Sequence, residues 1–260
     1  MLMWNLFQEI RKNRELIWAL ALKELRVRYK RSALGFIWAL LNPLMMMVIL
    51  TIVFSTITRI AVDYYPVFLI SALLPWTFFS QTLSYSVESI VINAELLKKI
   101  RVAKSVFPLA ALIANVINFM LSLVPLLLIL AVLRFPFHWT WIYLPVPLLG
   151  LFLFTAGCAF FFAAANVFFR DVSHILQIIL TAWFYLSPVL YSPDFLSPKY
   201  KLLFRFNPMM YILNGFRMAI YYGQLPTMQN IAASLLLGTV TFVAGYWVFR
   251  RLERSFVFYV

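Results

Sequence analysis

Lys23, Arg26, Arg28, Lys30 and Arg31 crowd the stretch KELRVRYKRSALGF, and directly after Ser32 the chain turns apolar enough to enter a bilayer. Guanidinium groups bind phosphate oxygens two at a time, and lysines add point charge. A phosphate or diphosphate headgroup is therefore the ligand this collar suits. Simple membrane anchoring and topology are the competing explanation for the same charge. A second feature is TAWFYLSPVLY, 181–191, where the consecutive rings of Trp183, Phe184 and Tyr185 point in different directions around a helix. Some of those rings can reach a protein interior, where aromatic faces stack on sugars through weak contacts, and the others pack in lipid. Catalysis and metal binding have no such support. The single Cys158 and two separated histidines give no metal-ligand spacing and no disulfide, and G-x-x-x-x-G-K, H-E-x-x-H and G-x-S-x-G are all absent.

The elements that position these residues are membrane spans. With 64% hydrophobic and 12% charged residues, the chain has too little polar surface to cover a soluble globule. Long runs free of Asp, Glu, Lys and Arg predict six spans, about 34–58, 66–87, 106–133, 141–167, 174–191 and 229–249. These spans hold no charged side chain, which argues against a carrier coupled to ions or protons. Residues 1–33 lack an uninterrupted apolar core and do not read as a cleaved signal peptide. Of the 22 basic residues, sixteen fall on the side of the termini and six on the other, so both termini are expected in the cytoplasm. The segment 206–223 is apolar, but Arg217 at its middle, with Pro208 and Gly215, predicts a re-entrant pair of short helices rather than a seventh span.

Two amphipathic pieces complete the reading. At about 100° per residue, Trp18, Leu22, Leu25 and Tyr29 share one face, which predicts an interfacial helix with that face in the headgroup region. In NAELLKKIRVAKSVFP, 93–108, Asn93 can cap a short helix, Glu95 and Lys99 can pair, and Leu96 and Ile100 share a face. This loop is either a docked surface helix or an ordinary basic loop. If the chain performs work, the energy must come from a partner.

Three segments in order, LKELRVRYKRSALGFIWALLNPLMMM (22–47), NAELLKKIRVAKSVFPLA (93–110) and 165–217, resemble the membrane subunit of type-2 ABC exporters of bacterial polysaccharides, the O-antigen, capsule and teichoic acid permeases. The resemblance implies an all-α integral membrane protein with an interface region at 1–33 and a six-span domain at 34–260. It further implies a homodimer in the bacterial inner membrane, bound to two separate ATPase subunits that carry ATP and Mg, and a lipid-linked glycan as cargo, most simply O-antigen in lipopolysaccharide biosynthesis. No cofactor is expected on this chain, and no nucleic acid. In this picture Asn93, Glu95, Leu96, Leu97, Lys98, Ile100, Arg101 and Lys104 contact the ATPase, and Arg26, Arg28, Lys30 and Arg31 admit the headgroup. Phe36, Trp38, Asn42, Pro43, Trp183, Phe184, Tyr185, Ser187 and Tyr191 line the pore, and Tyr191 to Tyr222 form an external gate. A drug or small-lipid exporter would need a narrower, discrete cavity. A membrane transferase would need clustered acids or histidines, whereas Asp63, Asp194 and His138 are scattered.

Overall fold

A computed structural model describes residues 2–30, 32, 34–57, 62–99, 102–192 and 204–259. Among these residues every regular element is a helix. α1 (Leu2–Lys12) and α2 (Arg14–Tyr29) precede α3 (Trp38–Thr51), which a 3-10 turn at Gly35–Ile37 introduces and a π turn extends. α4 (Tyr65–Ile92), the short α5 (Ala94–Lys99), α6 (Val106–Val132), α7 (Pro145–Phe168) and α8 (Val172–Tyr185) follow. After the segment outside the described residues come α9 (Pro208–Arg217), which a π turn extends to Tyr222, then α10 (Met228–Leu252) and α11 (Phe256–Tyr259).

Five stretches are long and apolar enough to cross a membrane: Gly35–Phe54, Tyr65–Ile92, Val106–Val132, Trp139–Phe168 and Met228–Ser255. The chain is thus a multi-pass integral membrane protein. The predicted span at 174–191 departs from this pattern. Its helix, α8, has 14 residues, about 21 Å at 1.5 Å per residue, short of the roughly 30 Å hydrocarbon core. From Leu186 to Ser192 the backbone turns back instead of continuing.

α4 is the central post, buried along most of its length against α6, α7, α3 and α9. α7 and α10 form the tightest pair, because glycines remove side chains where the helices meet: a β-carbon on Gly245 would collide with the Gly157 carbonyl, and one on Gly157 with the Thr241 carbonyl.

α2 differs from its predicted placement. The side it turns to α6 is Ile17, Ala21 and Leu25, all buried, while Trp18 is half exposed. Leu25 belongs to both faces, so the inward face is rotated by less than the roughly 100° of one residue step, and the small Ala21 permits the close approach to α6. The apolar stripe is therefore spent on protein and not only on headgroups.

At the end of the bundle that carries both termini, Arg250 pairs with Glu9 at 2.7 Å and Glu253 at 2.8 Å. Glu9 also accepts from Ser105 Oγ at 2.8 Å, and Lys104 Nζ donates to the Glu253 carbonyl at 2.5 Å. The opposite end is closed by rings: Phe135 lies 5.3 Å from Tyr64, 6.0 Å from Tyr221 and 5.7 Å from His138. Gly223 follows with φ 62°, and the His138 ring fills the place a β-carbon would take.

Candidate functional site

From Ser71 to Ile90 the side chains of α4 are buried except at Thr77, Ser80, Gln81, Ser84, Tyr85 and Glu88. Those six recur at steps of three and one, the spacing of a single helix face. Each is polar or aromatic with a hydroxyl. A helix in hydrocarbon does not present such a face to lipid; it turns it to water, protein or cargo.

Across from this face stands α8, which buries only Ser173, Leu176 and Leu180. It contributes Gln177 and Thr181 one turn apart, then Phe184 and Tyr185, and Gln177 Nε2 donates to Ser84 Oγ at 3.3 Å. The cavity between them, with Met46 of α3, measures about 560 Å³. Along α4 it runs from Leu73 to Tyr85, twelve residues and about 18 Å of helix rise. Gln81 and Tyr85 are shared with a second cavity of about 340 Å³ that Trp38, Asn42, Ser32, Tyr29 and Arg28 complete. The result is a continuous groove, with hydroxyls and amides toward the terminal end and Trp76, Phe184 and Tyr185 toward the other. Hydroxyls and amides exchange hydrogen bonds with sugar hydroxyls, and rings take sugar faces.

The predicted wall residues divide. Phe184 and Tyr185 line the groove, and Trp38 and Asn42 line its extension. Pro43 is buried beside a pocket of only about 30 Å³. Phe36 packs edge-on against Tyr29 at 5.1 Å. Trp183 points away, into Phe79 and Phe154 and toward Asn207. Ser187 is fully buried and accepts from Asn207 Nδ2 at 3.0 Å. Tyr191 donates to the Tyr185 carbonyl at 2.8 Å.

Ser187 and Tyr191 belong to the turn after α8, whose backbone oxygens need donors because they have left the helix. Asn207 donates to the Leu186 carbonyl at 2.9 Å, Arg217 to Val189 at 3.0 Å and Tyr65 to Leu190 at 2.8 Å. Arg217 has no carboxylate beside it among the described residues; its guanidinium lies 3.8 Å over the Phe68 ring. The residue that marked 206–223 as unfit to cross is the one that ties the turn down.

In the collar, Arg26 and Lys30 are exposed, and Arg31 lies outside the described residues. Arg28 is engaged. It donates to Glu24 at 3.0 Å and Asn115 at 3.1 Å, and its guanidinium carbon sits 3.7 Å over the Tyr85 ring. Burial raises the Glu24 carboxyl above its ordinary pKa, with Arg28 opposing the shift.

Of the predicted contact loop, Ile100 and Arg101 lie outside the described residues. Glu95 and Lys98 are exposed on α5, and Leu96 and Leu97 are half-buried against the core. Asn93 turns its amide back to the Ser89 carbonyl at 2.8 Å while its own carbonyl accepts from the Leu96 and Leu97 N–H groups. Glu95 and Lys99 form no ion pair, and Lys104 is committed to Glu253.

Sequence reasoning missed Thr77, Ser80, Gln81, Ser84, Gln177 and Thr181. Screening the spans for charge passed over them, although their helical spacing was visible. Among the described residues no group of His, Cys, Asp and Glu could hold a metal.

Residues 15–221 match the ABC-2 type transporter family. The chain is 32% identical over 258 residues, 98% of each chain, to the O-antigen export system permease protein RfbA of Myxococcus xanthus. It is 29% identical over 235 residues, 90% of each chain, to the Klebsiella pneumoniae protein of the same name. To the polysialic acid transport protein KpsM of Escherichia coli it is 25% identical over 244 residues, 91% of this chain and 93% of that one.

Proposed function

The chain belongs to the ABC-2 type transporter family, and we propose that it is the permease subunit of an ATP-driven exporter moving a lipid-linked polysaccharide, most simply O-antigen, across the bacterial inner membrane. The observation that carries this reading is the open face of α4, six polar or aromatic-hydroxyl side chains in the most buried span. Such a face suits a moving glycan, because many weak hydrogen bonds and ring contacts hold a polymer without trapping it. The similarity to the polysialic acid transport protein supports capsular polysaccharide as the second candidate cargo.

On this reading the chain makes six crossings, α8 with its turn completing the fifth, and both termini are cytoplasmic. Residues 1–33 are the interface region and 34–260 the transmembrane domain. A second copy closes the groove. The 3-10 turn leaves Ile37 exposed, α3 leaves Met45 and Ile49 exposed and α8 leaves Ile175 and Ile178 exposed, so apolar flanks stand on either side of a polar trough that lipid alone does not cover well. Two ABC ATPase subunits binding ATP and Mg dock on the loop 93–104, where the contact residues are Asn93, Glu95, Leu96, Leu97, Lys98, Ile100, Arg101 and Lys104, with a few apolar side chains carrying most of the binding. Arg26, Lys30 and Arg31 gather the anionic headgroup at the membrane surface, and Arg28 stands behind them at the groove mouth.

Deleting the gene should leave the glycan on its lipid in the cytoplasmic leaflet and remove it from the cell surface, and the purified chain should bring down an ATPase. Leu96→Asp should break the second result by placing a charge in an apolar contact. Unchanged surface polysaccharide in the deletion strain would refute the proposal.

A further inference from the structure

Beneath α2 lies another cavity, of about 240 Å³, between Leu20, Lys23, Glu24 and Val27 on one side and Ser89, Ile92, Asn93, Phe107 and Ala110 on the other. Its remaining lining residues are Arg28 and Tyr85. The same two residues also line the 340 Å³ extension of the groove, and no other residue lines both. The stacked pair, 3.7 Å from guanidinium carbon to ring centroid, is therefore the partition between the polar groove and a largely apolar pocket that holds two cations and one carboxylate, Glu24, already paired with Arg28.

Arg28 is held by single contacts that another acceptor can replace. Glu24 takes one guanidinium nitrogen and Asn115 another, while Nε is buried without a partner. A buried donor left open is costly and marks a place where an acceptor is missing. A phosphate oxygen in the pocket beneath α2 would supply it, with Lys23 as the second cation. Phosphate binding to guanidinium is charge-assisted and bidentate, stronger than a ring contact.

The geometry points to Arg28 and Tyr85 as a threshold between the pocket and the groove, opened when a phosphate or diphosphate group in the pocket draws Arg28 off the Tyr85 ring. This inference rests on the export reading for its purpose and deepens it: the phosphate end of the cargo is the signal that admits the glycan behind it. Tyr85 then acts as a positioning residue, and Arg28 as both latch and sensor.

The test needs neither ATPase nor glycan, so its failure is separable from failure of the export reading. Full-length chain carrying Cys158→Ala and Gln81→Cys is placed in vesicles, and labelling by a membrane-impermeant thiol reagent is followed from the side of the termini. Tyr85→Ala should speed labelling up to about fivefold, the weight of one cation–π contact at a solvent-accessible ring, while Tyr85→Phe, which keeps the ring, should label as slowly as the parent. Inorganic pyrophosphate should raise the rate in the parent if the phosphate group alone suffices. If the lipid is required, only vesicles doped with an isoprenoid diphosphate will do so. Arg28→Gln should abolish either response. Equal rates in the parent and Tyr85→Ala would overturn the partition, and a parent indifferent to both pyrophosphate and the diphosphate lipid would overturn the sensor.

Discussion

Replacing Asn207 by Ala should release the turn that follows α8. The Asn207 side chain holds four bonds: its oxygen accepts from Met209 N–H at 3.0 Å and Trp183 Nε1 at 2.9 Å, and its nitrogen donates to the Leu186 carbonyl at 2.9 Å and Ser187 Oγ at 3.0 Å. The first is the N-cap of α9, worth about 1 kcal/mol. The other three are partly open to solvent, and side-chain bonds in membrane proteins average about 0.6 kcal/mol. Together the loss should come to about 2 to 3 kcal/mol. Asn207→Asp separates the two halves: it keeps both acceptor bonds and loses both donor bonds, so it should cost about half as much. Reversible unfolding of the purified chain in mixed micelles measures both. Export should fall along with stability, because Phe184 and Tyr185 of the groove end where Asn207 grips. If Asn207→Ala cost less than about 0.5 kcal/mol, water would be replacing these bonds freely and the turn would not depend on them.

Gly157→Val should be costly, about 3 kcal/mol, since its side chain meets the backbone of α10, whereas Gly150→Ala, with 3.2 Å to the Ser234 carbonyl, should cost about 1 kcal/mol. Thermal unfolding in detergent ranks them, and equal melting of Gly157→Val and the parent would contradict the packing. In a Cys158→Ala background, Thr181→Cys should react with a water-soluble charged thiol reagent supplied from the side opposite the termini, while Val240→Cys, although 58% exposed, should stay silent against lipid. Equal reaction at both sites would deny the groove its water.

The sequence made some of these features legible and concealed others for physical reasons. Four spans, 66–87, 106–133, 141–167 and 229–249, stand out because apolar length is a one-dimensional property, and α4, α6, α7 and α10 cover them closely. The fifth failed as a length estimate because a screen for charge passes over Pro188, whose ring and missing N–H stop a helix and turn Ser187 away from helical geometry. The inner face of α2 turns toward Ile17 and Ala21 and away from Trp18, with Leu25 common to both faces; Ile17 and Trp18 are both hydrophobic, and only the small Ala21 and the surface of α6 choose between them. The groove was readable in part: Thr77, Gln81, Ser84 and Glu88 carry their helical spacing openly. That Gln177 meets Ser84 depends on an antiparallel pairing across more than ninety residues, which no local pattern encodes. Arg28 was seen as a charge, but Tyr85 and Asn115, its partners, come from two other helices.

The glycines between α7 and α10 also decide which parts of the molecule are free to move. Gly150 and Gly157 on one helix and Gly238 and Gly245 on the other repeat at the same interval, with backbone set against backbone at each. Sliding either helix by a residue would drive β-carbons into carbonyls, so this pair has one permitted register and resists shear. On the export reading, a stroke delivered at the terminal end would leave this pair as the stator. α8, by contrast, is anchored by only three buried side chains, so on the export reading it is the groove wall with the least packing to resist displacement against α4.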